Sequence, residues 1–483
     1  MPISRRHGAI ERPTDAETRR VKAISGLFAI TMAAAALGWA PAGRAAKAPR
    51  VCAECVKATM QKLAGDELRG RACGSPDENA AARYLADALQ KLGIRGGLPD
   101  GGYLQPVKLL TPTYAAPPAL DLTGPAGATL HLVNGQDMVL QGTPPASLDA
   151  PLVRVADAGP PFDDIKGKVV IFEGGTSLAV AATLQRLGAA AVILAAPDMI
   201  MQHWGELAVR GPGRTDVLGG VPRAPASSAP PLIFVRSETF AALLPLAPGQ
   251  AHIAAPRGEP IARTTYNVIG VRHGTTVDAD HYVVLLSAHY DHLGVRDGVI
   301  FHGADDDASG TAAVMELARI LGNTPARRRT AIFSLFGCEE EGGLGAQYFL
   351  SHRPPAVTGF TANLEFEMIG VDDPKHPGFL MLTGWDRSTL GPMLAAHGAK
   401  VVADPYPDQH FFRRSDNYQL ALQGVIAQTV SAWPVPPTYH AASDNLAHVD
   451  LGFMDQVIGS LVGPVTWLLD SDFVPEWNPG QQP

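Results

Sequence analysis

Apolar segments with two different periods alternate along the chain from Tyr266 onward. Apolar residues recur at helical spacing in 309–321 and 453–469, which predicts two amphipathic helices. Strands are predicted at five apolar runs: Asn267–Val271, Tyr282–Ala288, Thr330–Phe336, Thr361–Phe366 and Gly424–Val430. Strands that alternate with amphipathic helices predict an α/β domain with a largely parallel central sheet.

A different pattern precedes this domain. An amphipathic helix is predicted over 77–92, and residues 111–161 are then crowded with Pro, Gly and Thr. This crowding predicts the turns and short strands of an antiparallel, β-rich unit that ends near Arg263. Within the unit we expect strands and one helix in the order strand 167–172, helix 179–187, strand 190–195 and strand 232–235.

The chain begins with a pattern of its own. A basic cluster at 19–22 precedes an uncharged apolar run from Ala23 to Gly43, and small residues follow at 45–46. This order predicts a signal peptide over residues 1–45 and export to the periplasm or the extracellular space. The run is borderline long enough to cross a bilayer, so a retained membrane anchor is the alternative. The export route stays open, because 18–22 matches a twin-arginine signal only in part.

Composition and charge narrow the class of protein. Of 483 residues, 46% are hydrophobic and 18% charged, which excludes a disordered, collagenous or coiled-coil chain. The formal net charge of −8 and the lack of a dense basic cluster argue against nucleic acid as a partner. Four cysteines are too few for a disulfide scaffold. We expect a local disulfide among Cys52, Cys55 and Cys73, and a buried, unpaired Cys338.

Titratable side chains gather at the ends of the predicted strands. They stand at 289–292 after the second strand, 339–341 after the third, 365–367 at the end of the fourth, and at His440 beyond the fifth. An acidic run at 305–307 directly precedes a helix. Ligands of α/β sheets bind beyond the carboxyl ends of the strands. Clustered carboxylates raise one another's pKa, and a bound dication removes that cost.

The ligand types indicate the metal. Imidazoles mixed with carboxylates, without a thiolate, suit zinc or a neighbouring first-row ion. The carboxylates are too many for a single four-coordinate zinc, so two metals that share a bridging carboxylate fit better. A serine hydrolase is disfavoured, because the chain has no G-x-S-x-G string.

These residues also carry a family resemblance. They lie in the strings SAHYDHLG, HGADDDASGTAAVMELAR, FGCEEEGGLGAQYF, NLEFEMIG, RRSDNYQLALQGV and YHAASDNLAHVD. In that order the strings resemble the M28 family of zinc peptidases, and the similarity extends to 70–75 and 265–269. Segments 164–169 and 187–191 resemble the protease-associated domain that is often inserted in this family. The implied fold is a three-layer α/β/α sandwich with a mixed, mostly parallel central sheet, plus an inserted β-rich protease-associated domain.

The resemblance also implies a division of the chain. Residues 46–115 form the first part of the peptidase domain, 116–262 the inserted domain, 263–475 the main part of the peptidase domain and 476–483 a C-terminal tail.

Five metal ligands follow from the resemblance. His289 and Glu367 complete one zinc site, Glu340 and His440 complete the other, and Asp305 bridges the two. A cis peptide is implied between Asp305 and Asp306. Glu367 stands where the family usually has Asp. Glu365, two residues earlier and therefore on the same face of the strand, is the competing candidate.

Roles for the neighbouring residues follow from chemistry. Glu339 is expected to be the general base that takes a proton from an activated water and later delivers it to the leaving amine. Asp291 is expected to accept a hydrogen bond from His289 and to orient its ring. His292 is not expected to bind metal, and Glu341 is expected to be a solvated neighbour of the catalytic pair.

The sequence therefore predicts a secreted aminopeptidase with two co-catalytic zinc ions, which releases N-terminal residues from peptides. Contact with a membrane is expected only if the N-terminal segment is retained. The alternatives are another M28-type zinc hydrolase, such as a carboxypeptidase, a dipeptidase or a glutaminyl cyclase, and a non-catalytic binding homologue. Retention of all presumed ligands and of Glu339 argues against the last.

Overall fold

The structure, a computed structural model, describes residues 50–156, 162, 164–220, 229–432 and 436–483. The predicted signal peptide, residues 1–45, lies outside these residues. Among the residues described, no helix has both the length and the apolar character that crossing a membrane requires.

Helices and strands alternate through most of the chain. The helices are α1 (Ala53–Leu63), α2 (Pro76–Lys91), α3 (Leu178–Arg186), α4 (Asp198–Gln202), α5 (Trp204–Val209), α6 (Ser237–Leu243), α7 (Gly310–Gly322), α8 (Leu344–Ser351), α9 (Leu390–Ala396), α10 (Asp416–Ala421) and α11 (Leu451–Asp470). The first strands are β1 (Arg95–Gly96), β2 (Leu104–Thr111), β3 (Ala119–Thr123), β4 (Thr129–Val133), β5 (Met138–Gln141), β6 (Ser147–Val155), β7 (Val169–Phe172), β8 (Ala191–Ala195), β9 (Asp216–Val217), β10 (Leu232–Val235) and β11 (Gly249–Ala254). The later strands are β12 (Ile261–Arg272), β13 (Val283–His289), β14 (Gly294–Arg296), β15 (Val299–Phe301), β16 (Ala331–Phe336), β17 (Phe360–Phe366), β18 (Leu380–Leu382), β19 (Val401–Ala403) and β20 (Ala427–Ser431).

The larger sheet has the strand order β19-β18-β20-β17-β13-β16-β12-β2-β9, and β1 also pairs with β12. Its middle strands, β20, β17, β13 and β16, are parallel, whereas β12, β2 and β9 continue the sheet antiparallel. Each of the five strands predicted from Tyr266 onward is present in this sheet. The sheet is therefore mixed, with a parallel block in its middle.

Both faces of this sheet are covered. Along β13, Val284 and Leu286 pack into a core built with α1, α2, α7, α9 and α11, whereas Val283 and Leu285 pack into a core built with α8 and α10. This alternation is what a strand buried on both faces requires, because successive side chains point to opposite sides. The predicted three-layer α/β/α architecture is confirmed.

The smaller sheet lies within residues 119–254 and has the order β4-β3-β11-β6-β7-β8-β10-β5. It is not the antiparallel unit that the turn-rich composition predicted, because β6, β7, β8 and β10 pair in parallel. The reason is α3, which connects β7 to β8 and makes a strand–helix–strand crossover. Strand β9 belongs to the same stretch of chain but pairs with β2 of the larger sheet.

Two disulfide bonds join the four cysteines. Cys52 pairs with Cys55, and Cys73 pairs with Cys338 across a separation of 265 residues. The expectation of an unpaired Cys338 is therefore wrong. Spacing could not reveal the second bond, because the pairing of β12 with β16 is what brings the loop after β16 to the segment before α2.

Replacing Cys73 and Cys338 together by Ser is expected to lower the free energy of unfolding by about 2–5 kcal/mol, because a long loop regains its conformational entropy in the unfolded chain. Replacing Cys52 and Cys55 by Ser is the matched control, and its loss should be smaller because that disulfide closes a short loop. Denaturant unfolding of both variants measures the difference. Equal losses would contradict the argument.

Candidate metal centre

The site lies where the parallel strands of the larger sheet end. Strand β13 ends at His289, the neighbouring strand β16 ends at Phe336 just before Glu339, and the other neighbour β17 ends at Phe366 just before Glu367. A wide turn over Ala304–Ser309 leads into α7, the helix that packs beneath β13. Topology alone thus brings four segments, far apart in sequence, to one edge of the sheet.

One group of potential ligands is formed by His289, Asp306 and Glu367, whose ligand atoms all lie within 4.8 Å of one another. The Nε2 atom of His289 lies 3.2 Å from Oδ1 of Asp306. The His289 side chain is fully buried. Burial disfavours the charged imidazole, but the nearby carboxylates of Asp291 and Asp306 outweigh it, so the pKa of His289 is raised well above its ordinary value.

A second group contains His292, Asp306 and Glu340, again within 4.8 Å. Nδ1 of His292 lies 2.7 Å from Oε1 of Glu340 and 3.9 Å from Oδ2 of Asp306. His440 approaches the same carboxylates, with its Nε2 atom 3.3 Å from Oδ2 of Asp306 and 3.1 Å from Oε2 of Glu340. This second group therefore has two imidazoles available.

Asp306, and not Asp305, stands between the two groups. One oxygen of Asp306 faces His289 and the other faces His292 and His440. The Asp305 carboxylate instead accepts a hydrogen bond of 2.7 Å from the backbone N–H of Gly370. The cis peptide is likewise one residue later than predicted, between Asp306 and Asp307. The predicted bridge at Asp305 is thus corrected by one residue, because the backbone of the turn aims the second carboxylate of the acidic run at the histidines.

The geometry also distinguishes between the two candidate ligands at the end of β17, Glu365 and Glu367. Glu367 lies in the group with His289, whereas Glu365 accepts hydrogen bonds from the backbone N–H of Asn417 and from the Thr429 hydroxyl. Burial raises the pKa of Glu367 to about 8 and that of Glu365 to about 7. Glu365 and Glu367 therefore have different partners: Glu365 contacts α10 and β20, whereas Glu367 lies beside His289.

The donor set fits zinc. Among the described residues, both ring nitrogens of His289 and of His292 are buried and make no hydrogen bond of favourable geometry, although carboxylates lie close to them, and the same holds for Oε1 of Glu340. Buried polar atoms without partners are costly, and a bound cation satisfies them. Imidazole nitrogens and carboxylate oxygens without thiolate are ligands that zinc accepts.

The candidate base and its neighbour lie beside the metal ligands. Oε2 of Glu339 is 4.0 Å from Nε2 of His289, and burial raises the pKa of Glu339 well above its ordinary value. Asp291 accepts hydrogen bonds from the backbone N–H groups of Glu339 and Glu340, at 2.9 and 3.3 Å. Its Oδ1 also lies 3.5 Å from Nδ1 of His289. Asp291 thus links the loop after β16 to the histidine at the end of β13.

The contacts of His292 and Glu341 were not predicted from the sequence. His292 lies in the second group although it was not expected to bind metal; its spacing of three residues from His289 was the available signal. Glu341 is exposed to solvent as expected, but it also pairs with Arg263 at 2.6 Å. The structure brings His289, Glu340, Glu367 and His440 together as predicted ligands, and puts Asp306 in the place expected for Asp305.

Comparison with known proteins agrees with this arrangement. The profile of Peptidase family M28 matches residues 267–462, which contain both groups of ligands. A probable lipoprotein aminopeptidase, LpqL of Mycobacterium tuberculosis, is 25% identical over 436 residues, covering 81% of this chain and 79% of that protein. Aminopeptidase NAALADL1 of Mus musculus is 39% identical over 258 residues, or 44% of this chain and 33% of the relative.

The fold has a counterpart among solved structures. An aminopeptidase from Aneurinibacillus sp. strain AM-1 superimposes with a TM-score of 0.57 at 21% identity, covering 88% of this chain and 96% of that one. At this identity the likeness concerns the fold, which includes the smaller sheet as well as the larger one. Residues 267–462 thus match peptidase family M28, and the similarity to aminopeptidases identifies the chain as a metallo-exopeptidase.

Proposed function

We propose that this chain is an exported zinc aminopeptidase that holds two zinc ions and removes N-terminal residues from peptides. The observation that carries the proposal is the Asp306 carboxylate, whose two oxygens face two separate groups of imidazole and carboxylate ligands. A carboxylate shared in this way is what a pair of neighbouring metal ions needs.

Each zinc ion would have its own ligands. His289, Glu367 and one oxygen of Asp306 would hold the first, while Glu340, the other Asp306 oxygen and either His440 or His292 would hold the second. When bound, zinc supplies a Lewis acid that polarises a peptide carbonyl and acidifies water. We assign the second imidazole to His440, as the family motif implies, because its side chain is 31% exposed, whereas that of His292 is buried.

Glu339 is proposed as the general base. Its carboxylate lies within the cluster but belongs to neither group of ligands, so it is free to exchange protons. As a base the group must accept a proton from water and then donate it to the leaving amine, and a carboxylate that is not itself a ligand can do both. Asp291 holds the backbone of Glu339 and so keeps this carboxylate in place.

Other observations support the two remaining parts of the proposal, which are cleavage at the amino terminus and export. The relatives from Mycobacterium tuberculosis and Mus musculus both bear the name aminopeptidase. Two disulfide bonds suit a protein outside the cytosol, where such bonds persist. The apolar run that follows the basic cluster at 19–22 supports the same compartment.

The proposal is tested with purified protein, by measuring its zinc content beside hydrolysis of a panel of aminoacyl p-nitroanilides. We expect two zinc ions per chain, hydrolysis of substrates with a free α-amino group, and loss of activity with a chelator that added zinc restores. The matched control is the same panel with acetylated amino groups, which should resist hydrolysis. Cleavage of peptides blocked at the amino terminus would indicate a carboxypeptidase, and a single zinc with cyclisation of N-terminal glutamine would indicate the cyclase.

A further inference from the structure

The loop between β16 and α8 carries both Glu339 and Glu340, and it is flexible by composition. Gly342 and Gly343 follow with φ of 99° and 69°, in the left-handed region that glycine adopts without strain. Their N–H groups donate to the Glu339 carbonyl at 2.6 and 2.9 Å, which closes a tight turn. A turn that contains two adjacent glycines needs external contacts to hold one conformation.

Glu341 supplies such a contact. Its two carboxylate oxygens accept hydrogen bonds from Nη1 and Nη2 of Arg263, at 2.8 and 2.6 Å. One of the oxygens also accepts a hydrogen bond of 3.1 Å from the Thr215 hydroxyl. The Arg263 and Glu341 side chains are 24% and 34% exposed, so the pair is partly open to solvent. A two-pronged guanidinium–carboxylate pair restrains geometry more than a single contact does.

The partners of Glu341 lie on or beside two strands of the larger sheet. Thr215 directly precedes β9, which pairs with β2 of the larger sheet. Arg263 lies on β12, soon after the smaller sheet ends at β11. Arg263 also donates to the carbonyl of Cys73 at 3.0 Å and to the Thr111 hydroxyl at 2.8 Å. The Arg263 guanidinium is thus fixed by hydrogen bonds to Cys73 and Thr111 in addition to its pair with Glu341.

We propose that Glu341, Arg263 and Thr215 are positioning residues that hold the loop that carries Glu339 and Glu340. The inference rests on the proposed function, since it concerns the placement of the base and of one zinc ligand. Glu341 is separated from Glu339 by one residue, so a shift of its backbone moves the catalytic carboxylate directly. Cys338, on the other side of Glu339, is tied to Cys73, so the loop is held at both ends.

The test is Glu341→Gln, which keeps the size of the side chain but removes its charge. Asp472→Asn is the matched control, because Asp472 pairs with Arg328 at 2.7 Å near the opposite end of the same strand, β16. We expect Glu341→Gln to lower kcat about tenfold with KM, zinc content and Tm close to wild type, since a small misplacement of a catalytic group acts on turnover. Asp472→Asn should match wild type.

Variants of the partners sharpen the test. Arg263→Gln should lower kcat as Glu341→Gln does, and Arg263→Lys, which keeps the charge but loses the fork, should restore part of it. The double variant Glu341→Gln/Arg263→Gln should be no slower than either single variant, because the pair acts as a unit. Thr215→Val should give a smaller loss. Additive losses in the double variant would overturn the proposal.

A second measurement does not depend on activity. Hydrogen exchange of the amides in 337–343 should be faster in Glu341→Gln than in wild type, and unchanged in Asp472→Asn. Unchanged exchange in Glu341→Gln, a kcat equal to that of the control, or zinc content that falls in step with kcat would each overturn the inference. If wild type itself hydrolyses no aminoacyl substrate, the proposed function fails, and hydrogen exchange alone decides whether Glu341 holds the loop.

Discussion

Replacing Glu339 by Gln is expected to lower kcat by about 10²- to 10⁴-fold, because the amide cannot carry a proton between water and the leaving amine. Gln has nearly the shape of Glu, so the loop after β16 should keep its hydrogen bonds to Asp291, which involve only the backbone. Zinc content should therefore remain at the wild-type level. The loss of turnover would then be a loss of proton transfer.

Steady-state kinetics with a chromogenic aminoacyl substrate, beside zinc analysis of the same preparation, measures this outcome. Glu67→Gln is a suitable control, since Glu67 is an exposed partner of Lys62 and its carboxylate has no part in the site. Near-normal turnover of Glu339→Gln at full zinc occupancy would show that another group moves the proton.

Replacing Asp306 by Asn is expected to impair both metal positions at once. An amide has one oxygen in place of two and carries no charge, so it cannot bridge two cations as a carboxylate does. We expect zinc affinity to fall by more than about 100-fold, beyond the loss typical of residues that only support a ligand, and hydrolysis to fall with it.

Asp305→Asn is the matched control for this substitution, because the neighbouring residue differs only in register. Its amide oxygen can still accept the hydrogen bond from the Gly370 N–H, so zinc affinity should stay close to wild type. Competition with a zinc chelator, measured for both variants, separates the two carboxylates. The assignment of Asp306 would be wrong if Asp305→Asn lost zinc and Asp306→Asn kept it.

The arrangement of the larger domain was predictable from the sequence because its elements are long and strongly patterned. β13 is a mostly apolar run, and α7 and α11 repeat their apolar residues at helical spacing, so each of them begins and ends close to the predicted residues. The smaller sheet was harder to predict. Its short strands are separated by turns rich in Pro and Gly, and such composition does not distinguish parallel from antiparallel pairing.

The residue types also predicted most of the chemistry of the site, namely that it could bind metal. Imidazoles and carboxylates at the ends of three parallel strands predicted a metal centre, and these side chains lie together in the structure. The sequence could not predict which of the three aspartates at 305–307 faces the histidines. The three residues are identical, and only the backbone of the turn decides where each carboxylate points. The choice between Glu365 and Glu367 required Asn417 and Thr429, which come from other elements.

By itself, the sequence determined the α/β class of this protein, the edge of the sheet that carries the chemistry, and the kinds of ligand present there, because these follow from local periodicity and residue type. Only the tertiary structure decided that Asp306 lies between the two groups of potential ligands, that Cys338 pairs with Cys73 and that Glu341 contacts Arg263. Each of these depends on the direction of a side chain or on a contact between segments far apart in the chain. Neither is encoded in spacing, because both arise only when the sheet and its turns have formed.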